Sequence, residues 1–210
     1  MIAGTGVGAA LTCAAVSDDD AALVDRLRVG DDAAFAELVR RYQPGLLRFA
    51  ESLVVSRAVA EEVVQDTWLG VVRGVERFEG RSSFKTWVFR ILVNRARSAE
   101  GKEQRAGRPD RSVDVSEQFD ASGAWASPPV PWSERAEDRI VAERLAARVR
   151  TLLPELPDSQ RQVVLLRDVE GLAADEVAGL LGITDGNQRV LLHRARARVR
   201  QLLVAEVVNR

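Results

Sequence analysis

Ala173-Ala174-Asp175-Glu176-Val177-Ala178-Gly179-Leu180-Leu181, then Gly182-Ile183-Thr184, then Asp185-Gly186-Asn187-Gln188-Arg189-Val190-Leu191-Leu192-His193-Arg194-Ala195-Arg196 is the stretch that decides the fold. A short helix, a glycine turn and a long arginine-rich helix are the plan of a helix-turn-helix. Gly182 permits the turn, Thr184 is placed to cap the second helix, and Ala178 is small where the two helices must cross. On the second helix Arg189, His193, Arg196 and Arg200 share one face by i, i+4, i+7, i+11 spacing, beside an apolar stripe of Leu192, Ala195, Val199 and Leu202. An arginine stripe alone is usually a solvated face. Joined to the glycine turn it predicts DNA binding, because such a helix enters the major groove by its N-terminal turns. Thr184, Asn187, Gln188, Arg189, His193 and Arg196 are the DNA-facing candidates.

Outward from this motif the same helical pattern continues. Apolar residues make up 46% of the 210, aromatics 5% and charged residues 29%, which favours helices over an aromatic-rich sandwich or barrel. Three-and-four spacing predicts helices at about 20–29, 31–55, 58–77 and 83–101, and again at 136–153, 158–169, 173–181 and 185–204. In the third, Val64, Trp68, Val71, Val72 and Val75 form a packing stripe that leaves Glu61, Glu62, Gln65, Asp66, Leu69 and Arg73 outside. In the fourth, Thr86, Arg90, Asn94 and Arg97 share a face, with Phe84, Trp87, Val88 and Ile91 toward the core; Gly80 turns the chain before it, and Ser82 or Ser83 caps it. Between the two sets, Gly, Ser, Asp and Pro128, Pro129 and Pro131 sustain no apolar period, although Trp125 and Trp132 stand there. The expectation is therefore an all-α chain of two small helical domains, at 18–103 and 136–210. A flexible acidic linker at 104–135 joins them, and a flexible extension at 1–17 precedes them.

The net charge of −1 conceals a segregation of sign. Residues 76–111 carry ten basic side chains against five acidic ones, 112–134 carry acids with no Lys or Arg, and 186–203 carry five arginines with no acid. Two basic zones flank an acidic connector, the distribution of a nucleic-acid binder. The single Cys13 excludes an intramolecular disulfide, and with His193 as the sole histidine no Cys/His zinc set exists. The composition suits the cytoplasm. Residues 1–17 lack a basic flank and read neither as a signal peptide nor as a span. No phosphate-binding glycine motif and no convergent nucleophile, base and acid are present, so neither an enzyme nor a cofactor is expected. Asp18-Asp19-Asp20 and Asp31-Asp32 stand ahead of helices, where acids serve as caps and dipole partners rather than metal ligands.

Ala60-Glu61-Glu62-Val63-Val64-Gln65-Asp66-Thr67-Trp68, the run from Phe78-Glu79-Gly80-Arg81 to Asn94-Arg95-Ala96-Arg97, and Leu153-Pro154-Glu155-Leu156-Pro157 through Arg196 resemble, in order, the two conserved domains of extracytoplasmic-function sigma factors. The resemblance implies a dissociable promoter-specificity subunit of bacterial core RNA polymerase. Its first domain (region 2) melts and reads the −10 element, its second (region 4) reads the −35 element, and an anti-sigma factor is the silencing partner. Carried onto this chain, it places polymerase binding on Glu62, Gln65, Asp66 and Thr67. Likewise it places −10 contacts on Phe78, Arg81, Ser82, Lys85, Arg90, Asn94 and Arg97, with Asn94 meeting an extruded base. The resemblance also offers the acidic linker a path through the polymerase active-site cleft, against which a solvated tether remains the simpler account. Gln188 and Val190-Leu191 depart from the family pattern, so the −35 sequence is not readable from the chain; Ala173-Ala174 departs from it at the start of the motif's first helix, which bears on that cap and not on the fold. An alternative is a polymerase-independent helix-turn-helix regulator with a helical sensor or dimerisation domain; a helical adaptor that never touches DNA is another.

Overall fold

A computed structural model describes residues 18–104 and 148–208. The expected extension at 1–17, the linker with Trp125 and Trp132, and most of the helix expected at 136–153 lie outside the described residues.

The first domain is built of α1 (Asp18–Arg28), α2 (Asp32–Leu53), α3 (Arg57–Gly74) and α4 (Phe84–Gln104), with a 3-10 turn at Val75–Arg77 closing α3. The starts of α2, α3 and α4 have local causes. The Asp31 carboxylate accepts from the Ala33 and Ala34 amides at 2.9 and 3.2 Å, Ser56 Oγ accepts from Val59 N, and Ser83 Oγ accepts from Thr86 N at 3.0 Å. The hydrogen bond from Arg26, reinforced by the Ala34 amide, holds the Asp31 carboxyl below the usual carboxylate range. Leu38, Leu46, Phe49 and Ala50 of α2 are fully buried against Val63, Val64 and Val71 of α3 and Val88, Phe89 and Leu92 of α4. Phe49 meets Phe89 at a centroid distance of 5.7 Å, and Phe35 meets Trp68 edge-on at 5.7 Å.

Asp20 is not the cap that its place in an acidic run suggests. It is 6% exposed, takes a hydrogen bond from Tyr42 Oη, and pairs with Arg41 at 2.9 Å, so it ties α1 to α2 from inside. Burial and this partner push the Tyr42 phenol well above its ordinary pKa.

In the second domain, residues 148–152 are helical and run into a 3-10 turn at Leu153–Glu155. Then come α5 (Asp158–Val164), a π turn at Leu165–Val169, α6 (Ala174–Leu181) and α7 (Asp185–Val208). Leu153, Leu156, Val163, Leu166, Val177, Leu180, Leu192 and Ala195 form its core. The π turn replaces the end of the single helix expected at 158–169. Glu170 N donates to Leu165 O and Leu172 N to Leu166 O, a wider winding that leaves Asp168 and Glu170 pointing at different partners.

The two domains pack directly, α2 on α5 and α4 on α6. Gln162 Nε2 donates to Ser52 O at 3.1 Å, and a cleft between the domains is lined by Leu53, Val93, Ala96, Arg97, Gln162 and Leu181.

Candidate nucleic-acid interface

The helix-turn-helix forms as its sequence dictates. Gly182 closes α6 at φ +71°, a conformation costly to any residue with a Cβ, and the Gly182 and Ile183 amides both donate to Ala178 O. Thr184 Oγ1 accepts from Asn187 N at 3.2 Å and so caps α7. Ala173 cannot cap α6 through its own side chain; the Glu176 carboxylate does half of that work by accepting from Ala173 N at 2.9 Å.

On α7, Leu192, Ala195 and Val199 are buried, while Asn187, Arg189, Arg196 and Arg200 are exposed. Gln188 is 1% exposed, so in this conformation it packs under the helix and presents no atom to a base edge. Burial, and then the like charges of Arg196 and Arg200, hold the His193 pKa below that of free imidazole, so the ring adds no positive charge to the stripe at neutral pH. Arg196 is gripped by Asp168 at 2.8 and 2.6 Å, a bidentate pair that keeps the guanidinium firmly protonated and fixes its direction.

On α4, Arg90, Asn94 and Arg97 are exposed along one face, as the spacing requires. Thr86 is not: it is fully buried and donates to Glu176 Oε1 at 2.7 Å. Before the helix, Arg81 is open to solvent and pairs with Glu79, Ser82 is half-buried, and Phe78 is 8% exposed. The Phe78 ring lies 5.8 Å from Phe84 and 5.0 Å from Trp87, which makes it a support for the loop rather than a surface group.

The outer face of α3 carries Glu61, Glu62, Gln65 and Asp66, all exposed. Thr67 is fully buried and its hydroxyl is spent on Val63 O at 2.7 Å. Val72, expected in the packing stripe, is instead 50% exposed, beside Leu69 at 52%. Glu62, Gln65, Leu69 and Val72 follow i, i+3, i+7, i+10 spacing, so they form one surface strip that is charged at one end and apolar at the other.

Comparison with known proteins matches the two halves separately and in order. Residues 38–106 match the family Sigma-70 region 2, and residues 146–199 match Sigma-70, region 4. The ECF RNA polymerase sigma-E factors of Escherichia coli (strain K12) and Salmonella typhimurium (strain LT2) are 32% identical to the chain over 182 residues, covering 84% of it and 90% of each relative. This chain belongs to the ECF sigma factors. An RNA polymerase sigma factor of this kind directs promoter-specific transcription initiation.

Two solved structures share the fold of this sigma factor. CnrH in complex with the cytosolic domain of CnrY aligns with TM-score 0.54 and 25% identity over 90% of this chain and 99% of its own. The sigma factor RpoE in complex with the anti-sigma factor NepR from Bartonella quintana aligns with TM-score 0.53 and 26% identity over 80% and 96%. Among the described residues of this sigma factor no helix is long and apolar enough to cross a membrane, and no cluster of His, Cys, Asp and Glu could hold a metal ion.

Proposed function

We propose that this sigma factor docks on core polymerase through the strip Glu62, Gln65, Asp66, Leu69 and Val72 of α3, opens and reads the −10 element with α4, and reads the −35 element with α7. The observation that supports the docking site is an amphipathic helix whose outward face keeps two half-exposed aliphatic side chains beside its acids. Such a strip offers a partner both a charge to complement and apolar area to cover. Opening is non-catalytic: unstacking a base costs a few kcal/mol, which contacts to the extruded base and phosphate neutralisation offset. The work takes place on polymerase and DNA in the cytoplasm, and an anti-sigma factor is the partner that would silence it; the related sigma factor RpoE of Bartonella quintana is held in complex with the anti-sigma factor NepR.

Run-off transcription by core polymerase supplied with this chain tests the reading, with promoter-specific transcripts expected. In the same assay Asn94→Ala should leave polymerase affinity intact, because Asn94 is exposed on α4 and is no part of the proposed docking strip on α3. Open-complex formation should fall by about 1–3 kcal/mol, the worth of a bidentate amide contact to one base. Normal permanganate reactivity at −10 in that variant would remove Asn94 from the mechanism.

At −35 the two exposed arginines should separate. Arg189 lies in the first turns of α7 and should relax preference at one base pair when changed to Ala, by about 1–3 kcal/mol. Arg196, two turns later and braced by Asp168, should meet phosphate, so Arg196→Ala should weaken all promoters alike and lower the salt slope by about one. A randomised −35 library read at two salt concentrations decides both. An unchanged profile for Arg189→Ala leaves Asn187, exposed in the same turn, as the reader.

A further inference from the structure

The recognition helix α7 carries arginines and no acid between 186 and 203, and Arg196 is met by an acid from another element. Asp168 lies in the π turn at Leu165–Val169, and its two oxygens accept from Arg196 Nε at 2.8 Å and Nη2 at 2.6 Å. The turn that presents it is closed by its own bonds: Glu170 N donates to Leu165 O, Leu172 N to Leu166 O, and Arg167 Nη1 to Leu172 O. Wide turns of this kind inside helices recur at functional sites. No carboxylate among the described residues pairs with Arg189 or Arg200 of the same stripe. The Arg196 side chain is 57% exposed and that of Asp168 31%, and a pair so open to water adds little to stability. Its consequence lies in what Arg196 can hold. A guanidinium has five N–H groups, and Asp168 takes one on Nε and one on Nη2. The three that remain line the Nη1–Nη2 edge, where a phosphate can accept two of them.

We propose that Asp168 is a positioning residue for Arg196 and through it sets the specificity of the second domain. It aims the arginine, and its own charge keeps α7 from holding duplexes of any sequence. The proposal rests on the reading of α7 as the −35 helix. Two effects oppose each other. Held through Nε and Nη2, Arg196 presents one edge in one direction, so a phosphate in the right register meets donors that need no further ordering. The carboxylate behind it repels every phosphate whatever the register, because Coulomb repulsion has no preferred direction. In the docked promoter complex the first effect offsets the second. On random duplex, where no register is kept, only the repulsion acts, and it discounts the attraction of the arginine. The ratio of promoter to random affinity rises, and that ratio decides whether one site is found among a genome's many.

Asp168→Asn tests this, since it keeps the shape and one acceptor and removes the charge; Asp168→Glu keeps the charge and displaces it. The full-length chain is titrated with a short fluorescein-labelled duplex of scrambled sequence at two salt concentrations, and the polymerase-bound protein with a promoter selected from the −35 library. Asp168→Asn should bind the scrambled duplex about three- to sixfold more tightly at low salt, the weight in water of one like charge about 4–7 Å from a phosphate, and its salt dependence should steepen. Its promoter affinity should change by less than about twofold, because the loss of aim offsets the relief of repulsion, so the ratio falls. Asp168→Glu should bind the scrambled duplex as the parent does. Unchanged affinity for the scrambled duplex in an Asp168→Asn protein that circular dichroism shows to be folded overturns the repulsive role, as does tightening by Asp168→Glu, which keeps the charge. Equal tightening of promoter and scrambled duplex overturns the aiming role and with it the gain in specificity. Failure of the −35 reading itself shows elsewhere, in Arg189→Ala and Arg196→Ala, which would then both leave the library profile and the salt slope unchanged.

Discussion

Changing Glu62 and Asp66 together to Lys should weaken binding to core polymerase by at least about a hundredfold while leaving the sigma factor folded. Both side chains are exposed on the outer face of α3, and the Arg57–Glu61 pair at the start of the helix is untouched by the change. Surface substitutions of this kind shift stability by about 0.5 kcal/mol or less. The effect on docking is much larger, since a like charge placed against a complementary surface costs several kcal/mol and each 1.4 kcal/mol is tenfold in affinity. The substitution also makes the chain more basic, which raises non-specific DNA affinity. The measurement is therefore a titration of labelled sigma factor with DNA-free core enzyme, accompanied by circular dichroism. Unchanged affinity in a folded protein removes these residues from the interface and shifts attention to Leu69 and Val72 at the apolar end of the strip.

Much of this architecture is legible in the sequence because its causes are local. The turn at Gly182, the cap at Thr184 and the caps at Asp31 and Ser83 each depend on a residue and the few amides after it. What periodicity misreads depends on neighbours far along the chain. Val72 and Thr86 each stand at helical spacing from residues whose surroundings differ from their own. Val72 faces solvent because nothing among the described residues covers that side of α3, while Thr86 is buried because Glu176 reaches it from the second domain. Asp20 reads as one acid in a run of three until Arg41 and Tyr42, a helix away, close around it.

Gln188 has the same lesson for the candidate site: amide side chains in a recognition helix suggest base contacts, but this position is among the most buried of α7 and its neighbour Asn187 is exposed. The domain contact was beyond reach from sequence. Glu170 has no motif around it, and it pairs across that contact with Arg48 and Lys85, which are remote from it in the chain.

The largest stability effect should come from Phe84→Ala. Phe84 opens α4 and is fully buried, and its ring lies 5.9 Å from Tyr42 of α2, 5.8 Å from Phe78 in the preceding loop and 5.7 Å from Trp87. It is thus the post on which α2, α4 and the loop that carries Arg81 and Ser82 converge. Truncating a buried Phe to Ala costs about 3–5 kcal/mol, a large share of the roughly 5–15 kcal/mol by which a domain is stable. For a domain of this size that lowers the melting temperature by more than about 10 °C. The loss has a functional part as well. With the ring gone, Phe78 loses its edge-on partner and the loop that carries Arg81 loses its support, so on the proposed −10 reading strand opening should fall even at temperatures where the variant stays folded. Phe84→Leu keeps most of the apolar volume and should recover more than half of both losses. Thermal unfolding by circular dichroism and open-complex formation at 15 °C separate the two effects. A cost under about 1 kcal/mol for Phe84→Ala would mean that the ring cluster does not carry the loop.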